Sequence, residues 1–134
     1  MRDPERIPMF TQALSELIVT YFPQSTFPDI LNGYLSDPEC GCSDPFYLEV
    51  EDFYESFESY AFDTLELPPE NPDLHPERIS FYLRRLAKSW QELVPDWRFG
   101  QLLVNFITVY GGILSEEDEF FGELERWLDM RRPR

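Results

Sequence analysis

The chain has 134 residues, 43% hydrophobic and 16% aromatic, enough apolar material for one compact core and no signature of disorder. Its 26 acids against 11 bases leave a net charge of −15, which argues against direct nucleic-acid binding, since that needs Lys and Arg in patches. No apolar run approaches the ~20 residues of a membrane span, and no signal-type apolar stretch follows Met1-Arg2-Asp3-Pro4, so a cytoplasmic protein is expected.

In chain order, Asp3 as cap and Pro4 as first helical residue predict a helix with Ile7, Phe10, Leu14, Leu17, Ile18 and Tyr21 on one face, stopped by Pro23. A second, shorter helix follows the Thr26-Phe27-Pro28 turn and buries Phe27, Ile30, Leu31, Tyr34 and Leu35. Residues 39 to 44 read as a loop. Cys40 and Cys42 sit in it, too close together for an ordinary disulfide and too few for a structural zinc site. Residues 46 to 50 are short enough to be either extended or irregular. A third helix is expected over 51 to 63 with Phe53, Phe57 and Tyr60 inward.

Three prolines in the nine residues from 65 to 73 forbid a helix and mark a semi-rigid connector. Beyond it the pattern restarts at Pro76. The fourth helix carries Ile79, Tyr82, Leu83, Leu86, Trp90 and Leu93 at spacings of three and four and ends before Pro95. Asp96 is the expected cap of a fifth helix that buries Phe99, Leu102, Leu103, Phe106 and Ile107 and stops at Gly111-Gly112. Ser115-Glu116-Glu117-Asp118 opens a sixth, with Phe120 or Phe121, Leu124, Trp127 and Leu128 inward and Arg131, Arg132 and Arg134 at its positively favoured end.

The second half repeats the first. Asp3-Pro4-Glu5-Arg6-Ile7 lies over His75-Pro76-Glu77-Arg78-Ile79, and residues 3 to 35 continue over 75 to 107 without a gap. The match resumes at Glu51-Asp52-Phe53-Tyr54 over Asp118-Glu119-Phe120-Phe121, where the offset falls from 72 to 67. The expected fold is all-α: two tandem three-helix units, 1–67 and 68–134, packed as one compact helical domain. Charge divides them unequally. Residues 1 to 67 hold 2 basic and 14 acidic side chains, whereas 68 to 134 hold 9 and 12.

The run from Trp90 to Asn105, with Pro95-Asp96-Trp97-Arg98-Phe99-Gly100-Gln101-Leu102-Leu103 at its heart, resembles a family of short bacterial proteins that carry a single unit of this kind. The resemblance covers residues 75 to 128 and implies a fold unit, with no activity attached. The first half departs from the signature, with Ile18, Gln24, Thr26, Pro28, Asp29 and Gly33 in place of Trp90, Asp96, Arg98, Gly100, Gln101 and Asn105.

Catalytic residues, metal ligands and cofactors are not expected. Arg98, Gln101 and Asn105 lie within two helical turns but include no nucleophile or base, and read with Asp96 as a network fixing the turn. His75, the only histidine, precedes a proline, remote in sequence from either cysteine. The acidic runs 49 to 52 and 116 to 119 lack the Asp/Asn and Gly spacing of a calcium loop, and helix starts attract acids anyway.

Residues 44 to 66 are the unusual segment, with 8 acids, no base and 7 aromatics. Glu51, Glu55 and Glu58 fall on one helical face, each like-charged pair costing about 0.2–0.5 kcal/mol in an isolated helix. The expected function is a small acidic binding protein that docks a basic partner protein, most concretely an immunity protein blocking a toxin such as a nuclease. Glu49, Glu51, Asp52, Glu55, Glu58 and Asp63 would supply charge, and Tyr47 and Tyr54 the aromatic anchors. A phage anti-defence inhibitor mimicking DNA and a metal-dependent enzyme using the acidic clusters are the alternatives.

Overall fold

A computed structural model describes residues 2–36, 47–64, 67–113 and 116–131. Among these residues six helices and no strand are found: α1 (Arg6–Tyr21), α2 (Phe27–Ser36), α3 (Val50–Asp63), α4 (Arg78–Leu93), α5 (Phe99–Tyr110) and α6 (Glu117–Asp129). The fold is all-α. Cys40, Cys42, Phe46, Ser115, Arg132 and Arg134 lie outside the described residues. Of the segment 46 to 50, Tyr47 to Glu49 are irregular and Val50 already opens α3.

The halves correspond element by element. Helix starts recur at offsets of 72, 72 and 67, those of the sequence match, and even the flanking residues agree: Phe22 and Val94 end α1 and α4 at φ/ψ of −135/50 and −140/57. Both first helices start two residues later than expected. The chain makes a turn at each proline, with Arg6 N donating to Asp3 O and Arg78 N to His75 O, before the helical ladder begins. The Asp3 carboxylate accepts from Glu5 N in that turn.

Neither half closes a core alone. α3 packs on α1 of its own half and on α5 of the other, while α6 packs on α4 and on α2. Phe53 therefore meets Phe99 at 5.1 Å between ring centroids, and the corresponding pair Phe120 and Phe27 meets at 5.8 Å. Among the described residues thirty hydrophobic side chains from both halves form one buried cluster. Burying each large side chain contributes about 1.5–3 kcal/mol, so the shared core holds the halves together. Two expected core residues are outside it. Tyr21 is 40% and Leu35 38% exposed, because each is the last apolar position of its helix and turns past the packing stripe. Phe22, just after α1, is buried in Tyr21's stead. Tyr82, Leu93 and Ile107 pack against the cluster half-buried, whereas Phe120 and Phe121 are both buried within it.

α1 and α4 run antiparallel at the centre, clamped at both ends by corresponding arginines. Arg6 donates to the carbonyls of Pro95 and Trp97 at the end of α4, and Arg78 to those of Pro23 and Ser25 at the end of α1. The clamps differ in one respect. Arg78 Nε also reaches Glu117 Oε1 at 2.5 Å, while the other carboxylate oxygen accepts from Phe27 N at 2.7 Å. The corresponding first residue of α3 is Val50, and Arg6 Nε is buried with no hydrogen-bond partner among the described residues. Burial holds the Arg6 guanidinium below the usual arginine range, with the nearby Arg2 charge adding to it.

Asp96 does not cap α5. The helix begins at Phe99, three residues beyond it, and the start is closed by Gln101, whose side-chain oxygen accepts from Arg98 N at 3.2 Å. Gly111 ends α5 in the left-handed conformation at φ 73, as expected of a glycine stop. At the end of α6, Arg131 donates to Trp127 O at 2.8 Å and lies over the Trp127 ring.

Candidate functional site

α3 divides its residues sharply. The 3.6-residue period sends Val50, Phe53, Phe57 and Tyr60 into the core and leaves Glu51, Asp52, Glu55, Glu58 and Asp63 exposed. Among the described residues no ion pair reaches any of those five carboxylates. Asp63 accepts only from Ser59 Oγ, at 3.3 Å. In the second half the charged face of α4 and α6 is relieved, by Arg85 on Glu125 and Arg126 on Glu123.

Glu49 is set apart from the other acids. Arg2 Nε and Nη2 approach both of its oxygens at 2.8 Å, and the hydrogen bonds hold its carboxyl below the ordinary glutamate value. Arg2 also donates its backbone N and its Nη1 to Asp96, at 2.8 and 2.7 Å, so Asp96 joins this cluster and is held below the usual range by the backbone hydrogen bond. Glu49 thus tethers the N-terminal arm between the halves.

Tyr54 is half-buried and stands on the wall of a cleft of about 370 Å³ between α1 and α3. Met9, Phe10, Ala13 and Val50 provide its apolar lining, and Asp3, Arg6, Glu51 and Tyr54 its polar groups. Loss of solvent pushes the Tyr54 hydroxyl above the usual tyrosine value, and Glu58 and Glu16 push in the same direction. The phenol is a neutral donor at physiological pH. Tyr47 is 70% exposed just before α3, and Phe62 is exposed near the far end of that helix.

The structure therefore gathers Glu51, Asp52, Glu55, Glu58 and Tyr54 along one helix, with Glu49 engaged elsewhere. It adds Met9 and Ala13 from α1 and Asp3 from the turn before it, which sequence reasoning missed. Met9 and Ala13 lie off the core stripe of α1, which was the available signal, but only packing puts them opposite residues some forty positions away.

The acidic run at the start of α6 does not converge. Glu117 is turned inward onto Arg78 at 7% exposure, while Glu116, Asp118 and Glu119 face outward. Among the described residues no group of three His, Cys, Asp or Glu side chains is placed to hold a metal ion. Gln101 is spent on the α5 start, and His75 is exposed in the turn before α4. No helix among the described residues is long and apolar enough to cross a membrane. No protein-family model matches the sequence, and no match is found to a curated protein or to a solved structure.

Proposed function

We propose that this chain is a binding protein whose α3 face docks a basic surface on a partner protein, and that the partner is a toxin, such as a nuclease, which the chain neutralises as an immunity protein. The observation that supports the reading is the unrelieved charge of Glu51, Asp52, Glu55 and Glu58 beside the apolar cleft at Tyr54. A solvated helix face ordinarily mixes signs, whereas a run of one sign accepts self-repulsion and steers an oppositely charged partner. An aromatic or aliphatic anchor seated in the cleft would supply the desolvated contact that carries most of an interface's affinity.

Association with a captured basic partner should slow steeply with added salt, and Glu55→Lys with Glu58→Lys should slow it by about tenfold or more at low salt. Both residues are exposed, so the fold should survive the change. A double reversal that leaves the partner's association rate unaltered removes the α3 face from the reading.

A further inference from the structure

A second concavity lies on the opposite kind of electrostatic ground. Where α1 and α4 run antiparallel, a groove of about 560 Å³ opens along their seam, within the range of small-molecule sites. Its lining pairs corresponding residues of the two halves at the offset of 72: Gln12 with Arg84, Ser15 with Ala87, Glu16 with Lys88.

Three features of this groove are unusual for the molecule. Arg84 and Lys88 are one turn apart on α4, and no carboxylate among the described residues pairs with either, although acids outnumber bases 26 to 11. Arg84 makes one hydrogen bond, from Nε to Ser80 O at 3.3 Å, which leaves its two terminal nitrogens available. Ser15 lines the groove with its hydroxyl open to it and without a hydrogen-bond partner among the described residues, whereas the Thr11 hydroxyl one turn earlier is taken by Ile7 O at 3.0 Å. The third feature is the mixture of groups. Glu16 and Gln12 offer acceptors and a donor opposite the cations, and no aromatic ring lines the groove on which a base could stack.

We propose that the α1–α4 groove binds a small phosphorylated polyol, such as a sugar phosphate. Arg84 and Lys88 hold the phosphate, and Ser15, Gln12 and Glu16 take the hydroxyls. A nucleotide is disfavoured by the lack of a stacking surface among the residues lining the groove. The site is independent of the α3 face.

Titration of the full chain with ribose 5-phosphate and glucose 6-phosphate, followed by amide NMR shifts and calorimetry, tests this. Saturable shifts confined to the groove-facing residues of α1 and α4 are expected. Arg84→Ala with Lys88→Ala, both exposed positions, should weaken binding by about tenfold or more, and Ser15→Ala by severalfold. Inorganic phosphate and unphosphorylated glucose should each bind less tightly. Glu55→Lys with Glu58→Lys should leave the titration unchanged, which separates this site from protein docking. The proposal is overturned by the absence of saturable shifts at millimolar ligand, by an unchanged affinity in the double alanine variant, or by phosphate alone binding as well as the sugar phosphates, which would mark an adventitious ion only.

Discussion

Replacing Glu117 with Gln should destabilise the fold far more than any other isosteric change at an acidic position. The carboxylate is 93% shielded from solvent, takes Arg78 Nε on one oxygen at 2.5 Å and Phe27 N on the other at 2.7 Å. A glutamine has a single acceptor oxygen, so it serves one of these donors and turns an NH₂ toward the other. It also removes the negative charge that is paired with the Arg78 guanidinium, which is 13% exposed. Removing one member of a buried pair costs about 3–5 kcal/mol, and about 3 is expected here because the carbonyls remain. For a chain of this size that lowers Tm by roughly 10–15 °C. Thermal and urea unfolding followed by circular dichroism measure it, with Glu119→Gln, exposed in the same turn, as a control that should stay within about 0.5 kcal/mol. The loss should persist at high salt, since buried charges are poorly screened. Arg78→Leu with Glu117→Leu should cost less than the two single changes added together. A Glu117→Gln variant as stable as its Glu119→Gln control, or strict additivity in the leucine pair, would refute the buried-pair reasoning.

Arg6→Leu should be milder than Arg78→Leu by about 2 kcal/mol or more, since each removes three carbonyl contacts but only the second strands a carboxylate; equal midpoints in urea would contradict this. A methyl group on Gly33 would lie 2.3 Å from the Tyr60 hydroxyl oxygen, so Gly33→Ala should cost about 1–3 kcal/mol. With Tyr60→Phe already present, the next atom is 3.5 Å away, and the same alanine should become neutral or stabilising by up to about 1 kcal/mol through its helix propensity. Thermal melts of the four variants decide whether that coupling exists. The depressed Glu49 carboxyl contributes stability that is present at neutral pH and is lost as pH falls through its folded value. Arg2→Ala should therefore lower stability slightly at pH 7, by about 0.2–1 kcal/mol for so exposed a pair, and make a smaller difference once Glu49 is protonated, when the bond to Asp96 O remains. A stability gap that stays constant into acid would place the Arg2 effect elsewhere.

Periodicity alone located all six helices, because each keeps apolar residues at spacings of three and four and each is ended by a proline, a glycine or a loop. The same local information misplaced the details that depend on a neighbour. Pro4 and Pro76 look like first helical residues, but the chain uses them for a turn that brings Arg6 and Arg78 to the opposite helix ends. Asp96 looks like a cap and instead receives Arg2, ninety-four positions away. Glu49 looks like one more free acid of the third helix until that same arginine neutralises it. Glu117 looks like a helix-start acid and is the buried counter-ion of the second half.

The sequence by itself determined the all-α class, the helix starts at matching offsets and the uncompensated acids of α3, since these follow from side-chain period and charge along the chain. Only the tertiary structure decided that each third helix packs on the other half's second helix, that Val50 stands where its counterpart is Glu117, and that two cations without carboxylate partners among the described residues share a groove with the Ser15 hydroxyl. Those facts arise from which surfaces exclude water together, and the one-dimensional pattern holds no record of that.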